Sequence, residues 1–283
     1  MNIINKLNGE TIWSTDADSL AGMDLNEANL ANADLSNQDL RGADLRFADL
    51  TGANLNNADL SGADLRGAHI CDADLSGANL TAVIAGSDRA AEAATLCNSN
   101  LNAAKIDQAD MRNVDFNQAN MQETQCHDSD FSDANMNAAK LSHAKLIHCM
   151  LTNTYLRNAD LSHTDLSGSH LNEANLVEAI LDYANLANDE NNHSTILART
   201  HLREASMIEA NLQGSVMRMA DLRGANLRGA NFSGALVGGA VIRAANVTDA
   251  DFAGVNLDTA TVVHSNFSQA KNVNMPAFKT GWR

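Results

Sequence analysis

Proline is almost missing from this chain: a single residue, Pro276, sits near the end, and aromatic side chains make up only 4% of the sequence. Any core must therefore be built from alanine, leucine and a few methionine and phenylalanine side chains. No window approaches eighteen consecutive apolar residues, so no membrane-spanning helix is expected. Nothing between Met1 and Asp18 pairs a charged start with a long apolar run, which speaks against a secretory leader. The four cysteines, Cys71, Cys97, Cys126 and Cys149, lie far apart without a CxxC pair. That spacing suits free thiols and a cytoplasmic location better than a disulfide framework. Enzyme signatures are missing too: there is no GxSxG, no GxxxxGK[ST] and no HExxH. The expectation is a protein that is not an enzyme and carries no cofactor. Bases are outnumbered as well, 19 against 35 acids, for a net charge of −16 over 283 residues.

What fills the chain instead is a repeat. From Leu20 to Leu80 every fifth residue is Leu except Ile70, giving thirteen central positions. Two residues earlier stands Ala, as at Ala33, Ala43, Ala53 and Ala63, and between them Asp or Asn, as at Asp34, Asp44 and Asn54. Nineteen more central positions run from Leu96 to Leu186 and fifteen from Leu197 to Phe267, with Met111, Phe116, Met121, Cys126 and Phe131 among the substitutes.

A period of five fits neither common template. On an α-helix five residues advance the direction by about 140° beyond a full turn, so the leucines would spiral around the surface. In an unbroken strand an odd period sends successive leucines to opposite faces. Turning the chain once per repeat resolves both conflicts. Ala and Leu, two apart, then share an inner face, and the two residues after Leu make the corner. Those positions read Arg-Gly, Thr-Gly, Ser-Gly and Asn-Asn, residues that turns favour. Repeated turning winds the chain into stacked coils, a β-solenoid.

The tandem A(D/N)LXX pattern over about residues 18–270 resembles the pentapeptide-repeat proteins. The resemblance implies an all-β fold, a right-handed quadrilateral parallel β-helix with four repeats per coil. Residues 1–17, with Ile12 and Trp13, and 271–283, with Met275, Phe278 and Trp282, are expected to cap its ends. Two interruptions break the frame, at about 85–95 (AGSDRAAEAAT) and 187–195 (ANDENNHST). The first is Ala-rich and suggests a helical turn; the second is polar and reads as a loop. Each exceeds a multiple of five by one, which leaves open a single inserted residue or a longer excursion.

Some members of that family are DNA mimics that occupy the DNA-binding surface of DNA gyrase and protect it from quinolones. Fifteen of the 35 acids here, Asp34, Asp44, Asp64 and Asp221 among them, are the repeat's own D/N residue. Residues 1–80 carry a net charge of −9, 81–201 also −9, and 202–270 only −1. A DNA-like surface would therefore lie in the first two thirds. The resemblance also implies end-to-end dimers through an apolar C-terminal element, and the tail AKNVNMPAFKTGWR is short and interrupted by Pro276. The oligomeric state, homodimer or not, stays open.

With four repeats per coil, residues twenty apart fall into columns. Arg203, Arg223 and Arg243 form one, read either as an acidic-partner site or as arginines pairing with Glu204 and Glu209. Glu123, His143, His163 and Tyr183 form another, whose imidazoles and carboxylate are of the types that hold a divalent metal but stand at solvent-facing corners with no enclosing pocket, so no metal is expected. Cys126 and Cys149 take inward positions, whereas Cys71 and Cys97 are expected to be exposed. The leading expectation is a rigid scaffold that binds another protein, with DNA gyrase or a similar DNA-binding protein as the alternative partner and no direct contact to nucleic acid or membrane. The residues put forward for that contact are Asp34, Asp44, Asp64, Asp88, Glu92, Asp189, Glu190, Arg203, Arg223 and Arg243.

Overall fold

Leucine at every fifth position makes the backbone climb in coils. In a computed structural model, which describes residues 1–276, Leu25 N donates to Asp44 O at 2.7 Å and Asp44 N donates to Met23 O at 2.9 Å. Parallel bridges join Asp24 to Asp44, Asp44 to Asp64 and Asn29 to Asp49, each pair twenty residues apart. Twenty residues are four repeats, so each coil has four sides, and the fold is a right-handed, all-β parallel β-helix. The chain divides into two such units, Met1–Ala144 and Lys145–Arg283. Phe278 and Trp282, assigned above to the C-terminal cap, lie outside the described residues.

Each corner is a four-residue turn: Ala28 N donates to Leu25 O at 3.0 Å, and Glu27, third in the turn, has a φ of 58°. A type II turn demands this left-handed residue, which favours Gly or Asn. Here Phe47, His148, Tyr183 and Met219 also adopt it, with φ between 57° and 61°. Such backbone costs roughly 1–2 kcal/mol per residue. The buried columns offset that cost. Leu25, Leu50, Leu75, Leu151 and Leu222 are essentially inaccessible, as are the alanines two places before most of them, and burying one leucine side chain is worth about 1.5–3 kcal/mol. Where Ser or Thr replaces the alanine, the hydroxyl turns back to the chain: Ser99 Oγ donates to Leu96 O at 2.7 Å and Thr164 Oγ1 to Leu161 O at 2.7 Å. Aromatic rings also pack in the core, Phe116 edge-on against Phe131 in the first unit and Phe232 stacked on Phe252 in the second.

The interruptions are six-residue excursions. His69 bridges Thr95 and Ile84 bridges Asp110, 26 residues apart where the regular step is twenty. Ala85 is a buried central residue, so the first insertion lies between it and Leu96, and it contains a 3-10 turn at Ala90–Glu92. In the second unit His170 bridges Ile196 and Asn185 bridges Asn211, again 26 apart, which places the other excursion between Leu186 and Leu197.

The cysteine expectation is corrected by the same count. Cys71 and Cys97 are half-buried rather than exposed, and they form a disulfide with their Cα atoms 4.6 Å apart. Six inserted residues bring Cys97 into the place that residue 91 would hold in an uninterrupted coil, directly beside Cys71; Asp72 N donates to Cys97 O at 3.0 Å. Neighbouring parallel strands lie about 4.8 Å apart, within the span a disulfide bridges. Cys126 and Cys149 remain buried thiols, and burial pushes the Cys126 thiol up to about 12. The disulfide corrects the expectation that Cys71 and Cys97 are free thiols.

The first coil does not end in a bare edge. Strands β1 (Asn2–Ile4) and β2 (Thr11–Ser14) form an antiparallel hairpin that sets Ile3 opposite Trp13. Lys6 N donates to Asn32 O and Asp34 N to Ile4 O, both at 2.8 Å. The open polar groups of that side are thereby paired, which blocks strand addition from another chain.

Candidate functional site

The outward residues between Ala and Leu form ladders, and their character differs from side to side. In the first unit Asp24, Asp44 and Asp64 stack in one ladder. Like charges at that spacing repel, and arginines two residues along relieve them. Arg46 Nε donates to Asp44 Oδ1 at 2.8 Å and lies 3.8 Å from Asp64 Oδ2; Arg66 Nε donates to Asp64 Oδ1 at 2.9 Å. The hydrogen bond from Arg46 holds the Asp44 carboxyl below its ordinary range. Asp34 accepts from Asn54 Nδ2 at 3.0 Å and Ser36 Oγ at 2.8 Å. On the first excursion Asp88 pairs with Arg112, which also holds Asp110, and Glu92 pairs with Arg89 at 2.9 Å. Arginines thus lie beside Asp39, Asp44, Asp64, Asp88, Glu92 and Asp110, while 22 acids against 8 bases over residues 1–144 leave the unit strongly acidic.

The arginine column is in register, because Glu178 N donates to Arg203 O, Glu204 N to Arg223 O and Gly224 N to Arg243 O, all at 2.9 Å. Arg223 pairs with a neighbouring acid: its Nε donates to Asp221 Oδ1 at 2.7 Å, on its own coil. That contact overcomes the effect of burial and lowers the Asp221 carboxyl. Of the histidine column, Glu123 and His143 belong to the first unit and His163 and Tyr183 to the second. All four are exposed, and His163 stacks on Tyr183 with ring centroids 4.9 Å apart.

One ladder of the second unit departs from the polar pattern. Met150, His170, Ile196, Val216 and Leu236 stand one above another, with Met150 and Leu236 exposed by 38% and 47%. The ladder on one flank reads Lys145, Asp165, Asn185, Asn211, Asn231, Asp251, the one on the other flank reads Tyr155, Asn175, His201, Asp221, Val241, Thr261, and the one opposite reads Asp160, Ile180, Ser206, Asn226, Asn246. At the corner beside the apolar ladder, Met219 is 58% exposed. Next to it lies a shallow, open cavity of about 430 Å³ lined by Asn153, Glu173, Arg199, His201, Met219 and Asp221. Arg199 spans its rim to Glu173 at 3.2 Å.

The second excursion rejoins the coil immediately before Ile196, and it holds a cluster that the repeat pattern did not reveal. Asp189 Oδ2 lies 2.8 Å from His148 Nε2 and 2.7 Å from His193 Nδ1, while Asp189 Oδ1 accepts from the backbone N–H of Asn191 at 2.9 Å and of His193 at 2.6 Å. Burial alone would raise the Asp189 carboxyl, whose side chain is only 6% exposed. The hydrogen bonds from His193 and His148 outweigh it and hold the carboxyl far below the usual range. His148 reaches this loop because the next residue of its corner column is Gly168, with φ 69°. A Cβ there would sit 2.4 Å from His148 Cδ2. Glu190, at the tip, is exposed.

A model of the pentapeptide repeats matches the chain in eight copies, at residues 19–57, 48–84, 92–118, 99–137, 119–158, 134–172, 159–188 and 195–234. The chain belongs to the pentapeptide-repeat family. The gaps between copies, 85–91 and 189–194, fall on the two excursions. Among solved structures, the chain is similar to HetL, a pentapeptide-repeat protein involved in heterocyst differentiation regulation from the cyanobacterium Nostoc sp. strain PCC 7120, at 26% identity over 90% of this chain and 91% of that one, with a TM-score of 0.40. A trypsin-treated form of QnrB1, a plasmid-mediated fluoroquinolone resistance protein, is 14% identical over 83% and 89% of the two chains, with a TM-score of 0.33. Rfr23 from the cyanobacterium Cyanothece 51142 is 33% identical over 42% of this chain and 61% of its own, with a TM-score of 0.17. No curated protein matches.

Proposed function

We propose that this pentapeptide-repeat protein is a non-enzymatic scaffold that binds another protein through the apolar ladder Met150, His170, Ile196, Val216 and Leu236. The observation that carries the reading is the contrast between this ladder, apolar at four of its five positions, and the flanking ladder from Lys145 to Asp251, which is polar throughout. Asp or Asn would suit these outward positions equally well, so a ladder with Met150 and Leu236 exposed and Ile196 and Val216 half-buried suits a partner that covers it. Met219 extends the apolar surface to the corner, and the excursion that rejoins the coil before Ile196 lies on the same side. Side chains already fixed on a rigid frame lose little entropy on binding, which favours affinity from a small patch.

Affinity capture with the intact protein, compared with a Val216→Asp, Leu236→Asp double variant, tests the proposal. Both residues point outward, so the variant should melt like the parent. A protein retained by the parent, lost by the variant, and shown with purified components to bind one face carries the reading. An identical set of captured proteins for both sinks it. The alternative, a DNA mimic acting on a type II topoisomerase, needs carboxylates left bare along one face; Arg41, Arg46, Arg66 and Arg112 pair with Asp39, Asp44, Asp64 and Asp110 of the first unit, and its remaining acids are the ones such a face would use.

A further inference from the structure

We propose that His148, Asp189 and His193 form a binding site for a divalent transition-metal ion of the zinc type. The ligand atoms come from two places in the chain: a corner of one coil, and the excursion that enters two coils further on. They lie within 4.8 Å of one another, and no other such group of three occurs among the described residues. His127, by contrast, meets Asp107 alone, at 2.8 Å.

The donor set selects the ion. Two imidazole nitrogens and one carboxylate oxygen suit zinc and its neighbours. Calcium and magnesium ask for a shell of oxygen atoms that one carboxylate does not supply. Three protein ligands leave a fourth position to water.

The surroundings hold the ligands as a metal site needs. The two backbone N–H groups on Asp189 Oδ1 fix the carboxylate, so that Oδ2 faces the rings. Gly168 leaves the space through which His148 passes. Below the excursion, Thr195 is fully buried, accepts from Gly168 N at 3.0 Å and donates to Ala187 O at 2.8 Å, so the base of the excursion is tied to the same corner.

Without metal, each imidazole carries a proton on the nitrogen that faces Asp189, since a carboxylate only accepts. Metal binding moves those two protons to the other ring nitrogens or to solvent and turns the lone pairs inward. Ligand atoms bound to one tetrahedral zinc stand roughly 3.2–3.5 Å apart, given bonds of about 2.0–2.2 Å. The nitrogens therefore draw back from Oδ2 by about half an ångström. His193 is 65% exposed at the side chain, on the excursion itself, and can make that shift without disturbing the coils. The ion would then staple the excursion to the corner beside the apolar ladder.

The test uses the full chain, stripped with chelator and titrated with zinc chloride by calorimetry, then with cobalt chloride by absorption spectroscopy. One zinc per chain with a low-micromolar or tighter Kd, and the visible bands of four-coordinate cobalt, are expected. His193→Ala should weaken binding by about tenfold or more, since even outer-shell changes cost this much. His127→Ala should leave it unchanged. His193 lies outside the coils, so its variant keeps the fold even where His148→Ala or Asp189→Asn does not. No stoichiometric uptake, or equal affinity in the parent and His193→Ala, overturns the proposal.

Discussion

Cys71 lies one coil away from Cys97, with Cα atoms 4.6 Å apart, and the bond between them closes the 26-residue coil that contains the first excursion. A cross-link closing a loop of that length restricts the unfolded chain by about 3 kcal/mol. The Cys71→Ser, Cys97→Ser double variant should therefore unfold at lower denaturant than the oxidised parent, and reduction of the parent should reproduce the loss. Thiol counting checks the assignment independently. The native oxidised protein should show no fast-reacting thiol, because Cys126 and Cys149 are buried and only thiolates react readily. Two fast thiols without reductant would contradict the pairing.

How much of this was legible beforehand follows from the arithmetic of five. The buried leucine and alanine columns are readable because the repeat admits one way to turn them all inward. The excursions were not, since the step of eleven from Leu186 to Leu197 divides equally well into ten plus one or five plus six. Only bridge partners 26 apart choose the second. That ambiguity hid the disulfide, because a count of twenty sets residue 91 beside Cys71. It also hid the histidine cluster, whose members are 41 residues apart along the chain. Two signals were present: Asp189 and His193 are four residues apart within the excursion, and the bulky His148 is followed twenty residues later by Gly168.

Leu50 is fully buried in the first unit. Leu50→Ala should cost about 2–5 kcal/mol through lost burial and a cavity. Leu50→Asp should cost more, because it places a charge among apolar side chains with no partner. Urea unfolding of the two variants compares them directly. An aspartate variant as stable as the parent would contradict the inward assignment of the central residue.

Acid should weaken the β-helix over a defined range. The Arg41 guanidinium holds Asp39 at about 2 instead of its ordinary 3.8, and Asp44, Asp110, Asp221 and Asp251 are lowered too. A carboxyl with a folded value below its unfolded value adds stability above the unfolded value and loses it as pH falls through the folded one. Melting temperature should therefore be insensitive to these groups above about pH 5 and decline between pH 4 and 2. Raising the salt concentration should diminish the contribution of the exposed pairs. A melting temperature that rises on acidification across that interval would contradict the pairing of these carboxylates.

Gly168 separates two roles of the corner. Its φ of 69° makes any other residue costly by roughly 1–2 kcal/mol, and an added Cβ would meet His148. Gly168→Ala should lower stability by about that amount and also push His148 away from Asp189. Gly62, with φ 68° and nothing within 4 Å of a built Cβ, is the control for backbone cost alone. The His148 imidazole resonances should shift in Gly168→Ala and stay in place in Gly62→Ala. Equal spectra in both would mean that the space over Gly168 does not position the ring.

The acidic columns yield the last expectation. A duplex presents bare phosphates at regular spacing, whereas Asp39, Asp44, Asp64 and Asp110 each hold an arginine. Those four carboxylates are compensated where they stand, which weakens any phosphate-like row they would form. Purified DNA gyrase should supercoil DNA at an unchanged rate when this protein is added at low micromolar concentration, with or without a quinolone. Replacing Arg41, Arg46 and Arg66 together by glutamine would bare those carboxylates, and gain of inhibition in that variant alone would show that the arginines suppress a DNA-like face. Inhibition by the unmodified protein would instead place the interaction on the unpaired acids and restore the topoisomerase reading.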